Sequence, residues 1–240
     1  MEMIFNSPLS KAKSRNLIDL LGLSADSRIL DVGCGTGEFL IQIAERYECE
    51  GIGVDIESKN ILQAQKSVLN RIPHSKLKFL TTDVSKFEAA QESFDCCVCI
   101  GSTHAFSSGE PAYCETLKGL SKLVKINGLI LVGEGYWKRP PVRDYLDFIG
   151  EPVGVYRSHL ENVELASQFG LNPLYATTSN DDEWDDFEWK HRIRKEMDAV
   201  DSGNEQKQKA LNFTREWTRA YLRWGRGTMG FGFYLFSKIR

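Results

Sequence analysis

The segment that most constrains the fold is an apolar run with one acid, followed by glycines at alternate positions: Ile29-Leu30-Asp31-Val32-Gly33-Cys34-Gly35-Thr36-Gly37. An amphipathic stretch begins directly after it, at Glu38. This order predicts a buried strand, a tight turn and the start of a helix, an arrangement that can hold a cofactor. Glycines suit such a turn because they adopt positive φ and let a ligand approach the backbone without meeting a Cβ atom.

The spacing of these glycines differs from that of dinucleotide-binding turns. A dinucleotide fingerprint has a third glycine three residues after the second, so that a diphosphate can lie over the helix N-terminus. Here that position is Glu38. A carboxylate at the helix start repels a diphosphate, whereas Asp31, which precedes the turn, suits a cationic ligand. The spacing favours a ligand with a sulfonium or amino group, with an ordinary glycine-rich turn as the alternative.

The same segment resembles motif I of the class I S-adenosylmethionine-dependent methyltransferases, whose acid and three glycines fall on Asp31, Gly33, Gly35 and Gly37. The resemblance implies S-adenosylmethionine as the cofactor, with these four residues and Cys34 in its binding site. It also implies a Rossmann-like sheet of seven strands in which only the last strand is antiparallel.

Strand-like and helix-like segments alternate along the chain. Apolar runs predict strands at residues 28–32, 51–54, 77–82, 94–100, 129–133, 173–178 and 231–238. Amphipathic segments predict helices between them, so the order indicates an α/β fold with a doubly wound parallel sheet and helices on both faces. We expect one methyltransferase domain over residues 1–240.

Acidic residues follow several of the predicted strands, at the edge where open parallel sheets bind ligands. Asp55 lies 18 residues beyond Gly37, close to the distance at which a Rossmann-type fold places an acid on ribose hydroxyls. The alternative for each such acid is a helix cap. The resemblance implies an adenine site at Asp83 and Val84 and further cofactor contacts at Ile56, Ile100 and Gly101.

Residues after strands 4 and 5 are candidates for the catalytic and substrate-binding side chains. His104 is the best-placed general base, because an unperturbed imidazole titrates near neutral pH. Glu134 and Tyr136 are alternative bases, and with Trp137 they are expected to line the substrate pocket. The competing interpretations are a solvated loop histidine and core packing of the aromatic residues.

About fifty residues separate the last two predicted strands, where methyltransferases that resemble this chain have a hairpin. Residues 180–228 therefore form an insertion that begins and ends on the cofactor side, and we expect a helical lid with Trp184 and Tyr221 in the substrate pocket. Its acidic start complements a helix dipole, with an acidic site for an amine substrate as the alternative. Segments 183–189 and 221–225 resemble a group of small bacterial methyltransferase-like proteins.

The composition limits the classes of partner that the chain is expected to bind. The net charge of −3 predicts no polyanion footprint, and the loop after strand 4 lacks the Asn/Asp-Pro-Pro-aromatic tetrapeptide that similar enzymes use for nucleobase amines, so nucleic acid is unfavoured. No apolar run reaches the length of a membrane span and no signal-peptide pattern is found, so we expect a cytoplasmic protein without membrane contact. Cys96 and Cys99 have CxxC spacing but lie in an apolar run, so no metal site is predicted.

These observations predict an enzyme that transfers a methyl group from S-adenosylmethionine to a small-molecule acceptor by in-line displacement. One alternative is a non-catalytic protein that binds S-adenosylmethionine and acts through a protein partner. A second, disfavoured by the glycine spacing and by Glu38, is an NAD-dependent oxidoreductase.

Overall fold

The computed structural model describes residues 4–69, 71–73, 76–200 and 204–239. Its strands are β1 (Arg28–Val32), β2 (Glu50–Asp55), β3 (Leu77–Thr81), β4 (Phe94–Ile100), β5 (Val124–Trp137), β6 (Leu171–Thr178) and β7 (Met229–Lys238). Its helices are α1 (Lys11–Asp19), α2 (Glu38–Tyr47), α3 (Ser58–Val68), α4 (Ala112–Leu123), α5 (Arg143–Ile149), α6 (His159–Leu165), α7 (Asp181–Val200) and α8 (Glu205–Ala220).

The seven strands form one sheet in the order β3-β2-β1-β4-β5-β7-β6. Neighbours from β3 to β5 pair in parallel, whereas β7 runs antiparallel to both β5 and β6. The predicted α/β architecture, with the last strand antiparallel, is therefore confirmed. The strand order reverses direction between β1 and β4, and ligands of such sheets bind at the carboxyl ends of the strands beside this point.

Both faces of the sheet are covered, because alternate residues of each strand point to opposite sides. Ile29 of β1 belongs to a core with residues of α1, α2 and α3, and with Trp184 and Tyr221 of the insertion. Leu30 and Val32 belong to a second core with residues of α4. The insertion therefore packs on the face that carries α1 to α3.

Strand β5 is longer than its apolar run predicts. It continues to Trp137, and the stretch 129–137 pairs residue by residue with β7. Glu134 and Tyr136, predicted in a loop after this strand, are in fact strand residues opposite Gly232 and Gly230. A Cβ atom on Gly230 would meet the ring of Tyr136, so glycines of the partner strand leave room for the side chains that extend the pairing.

The insertion, residues 180–228, consists of α7, α8, a π-helical turn at Tyr221–Gly225 and one helical turn at Arg226–Thr228. Residues 201–203 of this predicted lid lie outside the described part of the chain. Helix α7 carries apolar residues on two faces. Trp184 is buried in the core, whereas Trp189, Ile193 and Met197 on the other face are exposed.

Candidate functional site

A cavity of about 630 Å³ lies at the carboxyl ends of β1, β2 and β4. Every predicted cofactor residue except Gly37 lines it, namely Asp31, Gly33, Cys34, Gly35, Asp55, Ile56, Asp83, Val84, Ile100 and Gly101. The N-terminal segment Ile4–Ser7 and Arg194 of α7 complete the wall. The short segment before α1 carries no periodicity, so the sequence offered no signal for its place in the site.

Asp31 is the most unusual charged group of this cavity. Its side chain is buried, with 3% of its surface exposed, and among the described residues no donor contacts its carboxylate. Burial, reinforced by the negative charge of Asp55, raises its pKa to about 8. A buried carboxylate without a partner is unfavourable, and a cation bound in the cavity would remove this penalty.

Asp55 holds the glycine turn in place at the end of β2. Its carboxylate accepts hydrogen bonds from the amides of Gly35, at 2.9 Å, and Glu57, at 2.8 Å. The amides of Gly33 and Cys34 donate to the carbonyl oxygen of Val54, at 2.8 and 3.0 Å. The turn is thus fixed to β2 from two sides, and Asp55 retains lone pairs for a ligand because a carboxylate can accept about four hydrogen bonds.

The three glycines of the turn have positive φ, and the space around their Cα atoms differs. A Cβ atom on Gly33 would overlap Ser102, and one on Gly37 would overlap Phe79. A Cβ atom on Gly35 would meet no protein atom within 4 Å. Gly37 therefore lets α2 approach the sheet, whereas Gly35 keeps the cavity side of the turn open for a ligand.

Asp83 faces the cavity and also caps a short helical turn. Its carboxylate accepts from the amide of Ser85 at 2.8 Å, and the hydrogen bonds from Ser85 lower its pKa. The cap that the sequence left as an alternative is therefore formed. It orients Asp83 and the neighbouring Val84 at the rim, beside the exposed Ile56.

Glu38 also lines the cavity, but its charge is compensated. Arg71 contacts its carboxylate at 2.7 Å and reaches Glu45 at 2.7 Å as well. From the sequence alone, Glu38 was expected to be an unpaired charge at the helix start. The ion pair weakens that electrostatic argument against a diphosphate and leaves the glycine spacing as the stronger one.

The predicted catalytic and substrate-binding residues do not line a single cavity. His104 lines the large cavity at the end of β4. Glu134 accepts hydrogen bonds from the Thr103 hydroxyl and from the Gly135 amide, the latter at 2.6 Å. Burial raises its pKa. Glu134 therefore anchors the loop that carries His104, and it does not line the cavity.

Two aromatic residues of β5 are held by packing. The ring of Tyr136 lies 5.2 Å from that of His159. The indole nitrogen of Trp137 donates to the carbonyl oxygen of Val153 at 2.8 Å. Neither side chain lines the large cavity, so the core-packing interpretation describes their positions in the structure.

Trp184 and Tyr221 line a separate cavity of about 240 Å³ between the insertion and α5. Glu188 of α7 also lines it, and this residue was not singled out because it lies in an acidic run typical of a helix start. Its side chain is turned inward, with 6% of its surface exposed.

Residues 29–128 match a family of methyltransferase domains. These residues are therefore assigned to a methyltransferase domain. The matched segment begins in β1 and ends in β5, so it contains the glycine turn and most of the large cavity. No helix in the described ranges is long and apolar enough to cross a membrane.

Relatives of this methyltransferase domain include bacterial proteins without an assigned substrate. The uncharacterized protein YjhP of Escherichia coli is 30% identical over 139 residues, which cover 58% of this chain and 54% of YjhP. The uncharacterized protein RP028 of Rickettsia prowazekii is 27% identical over 159 residues, 64% of this chain and 62% of RP028. The chain thus matches between half and two thirds of the length of these relatives. The predicted resemblance to small bacterial methyltransferase-like proteins is confirmed.

Solved structures extend the likeness to nearly the whole chain. A methyltransferase from Geobacter sulfurreducens, in complex with S-adenosylhomocysteine, superposes with a TM-score of 0.88 at 20% identity, covering 98% of this chain and 93% of that one. The E. coli YjhP structure gives 0.85 at 21% identity, covering 98% and 95%. At these identities the likeness establishes the fold of the domain, including the insertion before the last strand.

Proposed function

We propose that the domain binds S-adenosylmethionine in the large cavity and transfers its methyl group to a small-molecule acceptor. The observation that carries the proposal is the buried, unpartnered carboxylate of Asp31 beside a glycine turn whose cavity face is open. Such a site fits a ligand that is cationic and approaches the backbone closely, as the sulfonium and ammonium groups of S-adenosylmethionine do. The S-adenosylhomocysteine bound by the Geobacter neighbour supports this choice.

Each cavity residue has a role in this proposal. Asp31 balances the positive charge of the ligand, and Asp55 accepts hydrogen bonds from the ribose hydroxyls. Asp83 accepts from the adenine amine, while Val84 packs against the ring and Ile100 and Gly101 contact the ligand from β4. S-adenosylmethionine supplies an electrophilic methyl carbon. The protein contributes mainly placement, which can be worth about 7–11 kcal/mol of the barrier.

His104 is the side chain proposed to accept a proton from the acceptor. It lies on the cavity wall, in a short helical turn held by the Thr103–Glu134 hydrogen bond. General-base catalysis contributes about 10²–10⁴-fold. Because Glu134 and Tyr136 do not line this cavity, the proposal assigns them to positioning and packing, respectively.

The lining of the cavity and the net charge of the chain both favour a small acceptor. The N-terminal segment and Arg194 line the cavity together with the strand ends, and a net charge of −3 offers no polyanion footprint. The exposed apolar face of α7 at Trp189, Ile193 and Met197 favours the alternative in which the domain binds S-adenosylmethionine and acts through a protein partner. Turnover of S-adenosylmethionine with a small acceptor would distinguish enzyme from binder.

Ligand titration tests the proposed cofactor. We expect calorimetry to detect S-adenosylmethionine and S-adenosylhomocysteine at one shared site, each displacing the other, because the cavity provides a counter-charge for a cationic amino acid. NAD should not compete, since the turn lacks the third glycine of the dinucleotide fingerprint. Tight binding of NAD without either sulfur ligand would contradict the proposal.

Substitution of Asp55 tests the ribose contact. Asp55→Ala should weaken S-adenosylmethionine binding by about 1 kcal/mol or more, because a charge-assisted hydrogen bond is lost. Asp55→Asn can still accept from the Gly35 amide but not from two hydroxyls with a full charge, so it should show most of the same loss. Asp26→Asn, an exposed change at the opposite edge of the sheet, is the control. Unchanged affinity in both Asp55 variants would remove this residue from the ribose role.

A further inference from the structure

The smaller cavity, of about 240 Å³, is enclosed by aromatic residues of three separate segments. Tyr145 comes from α5 and Trp184 from α7, whereas Trp217 and Tyr221 come from the continuous stretch formed by α8 and the π-helical turn. The rings of Trp184 and Tyr221 are nearly parallel, with centroids 6.2 Å apart. The cavity is therefore lined largely by aromatic rings, whose π faces attract cations electrostatically.

The charged residues that line this cavity are all acidic. Among the described residues that line it are two carboxylates, Glu151 and Glu188, and no Lys, Arg or His. Glu151 is exposed at the rim, whereas Glu188 is buried and makes no ion pair with any described residue. When Glu188 is ionised, the described lining of the cavity therefore holds no cation to balance it.

The hydrogen bonds of Glu188 are incomplete. The indole nitrogen of Trp217 donates to its Oε2 at 3.0 Å, and no described group donates to its Oε1. Burial raises the pKa of this carboxyl to about 7. The indole nitrogen of Trp184, on the same wall, is buried without an acceptor. One oxygen of Glu188 and the indole nitrogen of Trp184 therefore lack partners among the described residues, which indicates a place for a ligand.

Among the described residues of the insertion, no cation pairs with Glu188. The nearby cation Arg226 contacts Asp185 at 2.9 Å, and the Tyr221 hydroxyl donates to the same carboxylate at 2.6 Å. Asp185 therefore pairs with Arg226, whereas no described cation pairs with Glu188 on the same helix. A cation bound in the cavity would balance the charge of Glu188.

We propose that this cavity binds a small organic ammonium ion, with Glu188 as its counter-charge and the rings of Trp184, Trp217 and Tyr221 around its alkyl groups. A metal ion fits the site poorly, because the wall is aromatic and offers few oxygen ligands. A neutral apolar ligand would leave Glu188 without a counter-charge. The proposal concerns binding alone and does not rest on methyl transfer.

Calorimetry on the full chain with choline and with 3,3-dimethylbutan-1-ol tests this inference. The two probes have nearly the same shape and differ in the charge of the head group. At a pH of about 8, above the pKa of Glu188, we expect choline to bind at least about tenfold more tightly than the alcohol, because both the carboxylate and the π faces favour a cation. Equal affinities, or no binding of choline, would overturn the proposal.

Variants locate the binding. Glu188→Gln should weaken choline binding about tenfold or more while leaving the alcohol unaffected, because the amide can still accept from Trp217 but has no charge. Asp198→Asn removes an exposed charge from the same helix, about 15 Å further along its axis, and should change nothing. If Glu188→Gln binds choline as the natural chain does, the proposal is wrong.

Two further variants keep the test decisive. Ala220→Leu adds bulk to the wall from α8 without altering any charge, so it should abolish choline binding even if Glu188→Gln folds poorly. Asp31→Asn alters the large cavity only, and choline affinity should survive it. Loss of choline binding in Asp31→Asn, with no effect of Ala220→Leu, would place the cation in the S-adenosylmethionine cavity and contradict the inference.

Discussion

Asp31→Asn is expected to lower the affinity for S-adenosylmethionine by about 100-fold or more and, at the same time, to stabilise the ligand-free protein at alkaline pH. The first effect follows because removing one partner of a buried charge pair costs about 3–5 kcal/mol. The second follows from the pKa of Asp31, which the fold raises from 3.8 to about 8.

The sign of the stability effect is set by the bound proton. Between pH values of about 4 and 8 the folded chain keeps a proton on Asp31 that the unfolded chain has lost, so the free energy of unfolding falls as the pH rises through this window. Asparagine has no such titration. We therefore expect urea unfolding at a pH of about 9 to show the variant more stable by at least about 1 kcal/mol, with little difference at a pH of about 4.

Proton release on ligand binding provides a second test of the role of Asp31. Because binding a cation ionises this carboxyl, calorimetry of the natural chain at neutral pH should show proton release in buffers of different ionisation enthalpy. Asp26→Asn, which removes an exposed charge, should behave like the natural chain in both experiments. An Asp31→Asn variant that binds S-adenosylmethionine normally would exclude this residue as the counter-charge.

Gly35→Ala and Gly22→Ala form a matched pair that separates ligand approach from backbone strain. The two glycines have φ angles of +54° and +55°, and a Cβ atom on either would meet no protein atom within 4 Å. Each variant should therefore lose about 1–2 kcal/mol of stability, the cost of a left-handed conformation for an L-residue. Only Gly35 faces the large cavity.

The two glycine variants should differ in their affinity for S-adenosylmethionine. We expect Gly35→Ala to weaken binding about 30-fold or more, because its methyl group occupies space that the ligand needs next to the backbone. Gly22→Ala should bind as the natural chain does, with the same midpoint shift in urea. Equal affinities in the two variants would show that the open face of Gly35 is not a ligand contact.

The parts of the structure that were predicted correctly depend on local sequence. The strand at 28–32, the helix beginning at Glu38 and the strand at 94–100 match the structure because hydrophobic periodicity and glycine conformation act over a few residues. The large cavity was predicted for a related reason. In a parallel sheet the carboxyl ends of the strands meet at one edge, so Asp31, Asp55 and Asp83 converge once the strand order is known.

The substrate side was predicted less well because side-chain direction there depends on pairing with distant residues. Pairing with β7, about a hundred residues away, extends β5 through Trp137, which turns Glu134 and Tyr136 from loop residues into strand residues. Likewise, Trp184 and Tyr221 were expected to join His104 in one pocket, but the packing of α7 and α8 against α5 places them in a second cavity.

The doubly wound sheet, the glycine turn and the acids that line the large cavity follow from local sequence, since each of these is encoded in residues that are close along the chain. Only the packing of the folded chain leaves Asp31 buried without a described partner, pairs Glu38 with Arg71 and places Glu188 in the wall of an aromatic cavity. Burial and partnership are set by segments far apart in sequence, and the pKa of each of these carboxyl groups depends on what surrounds it.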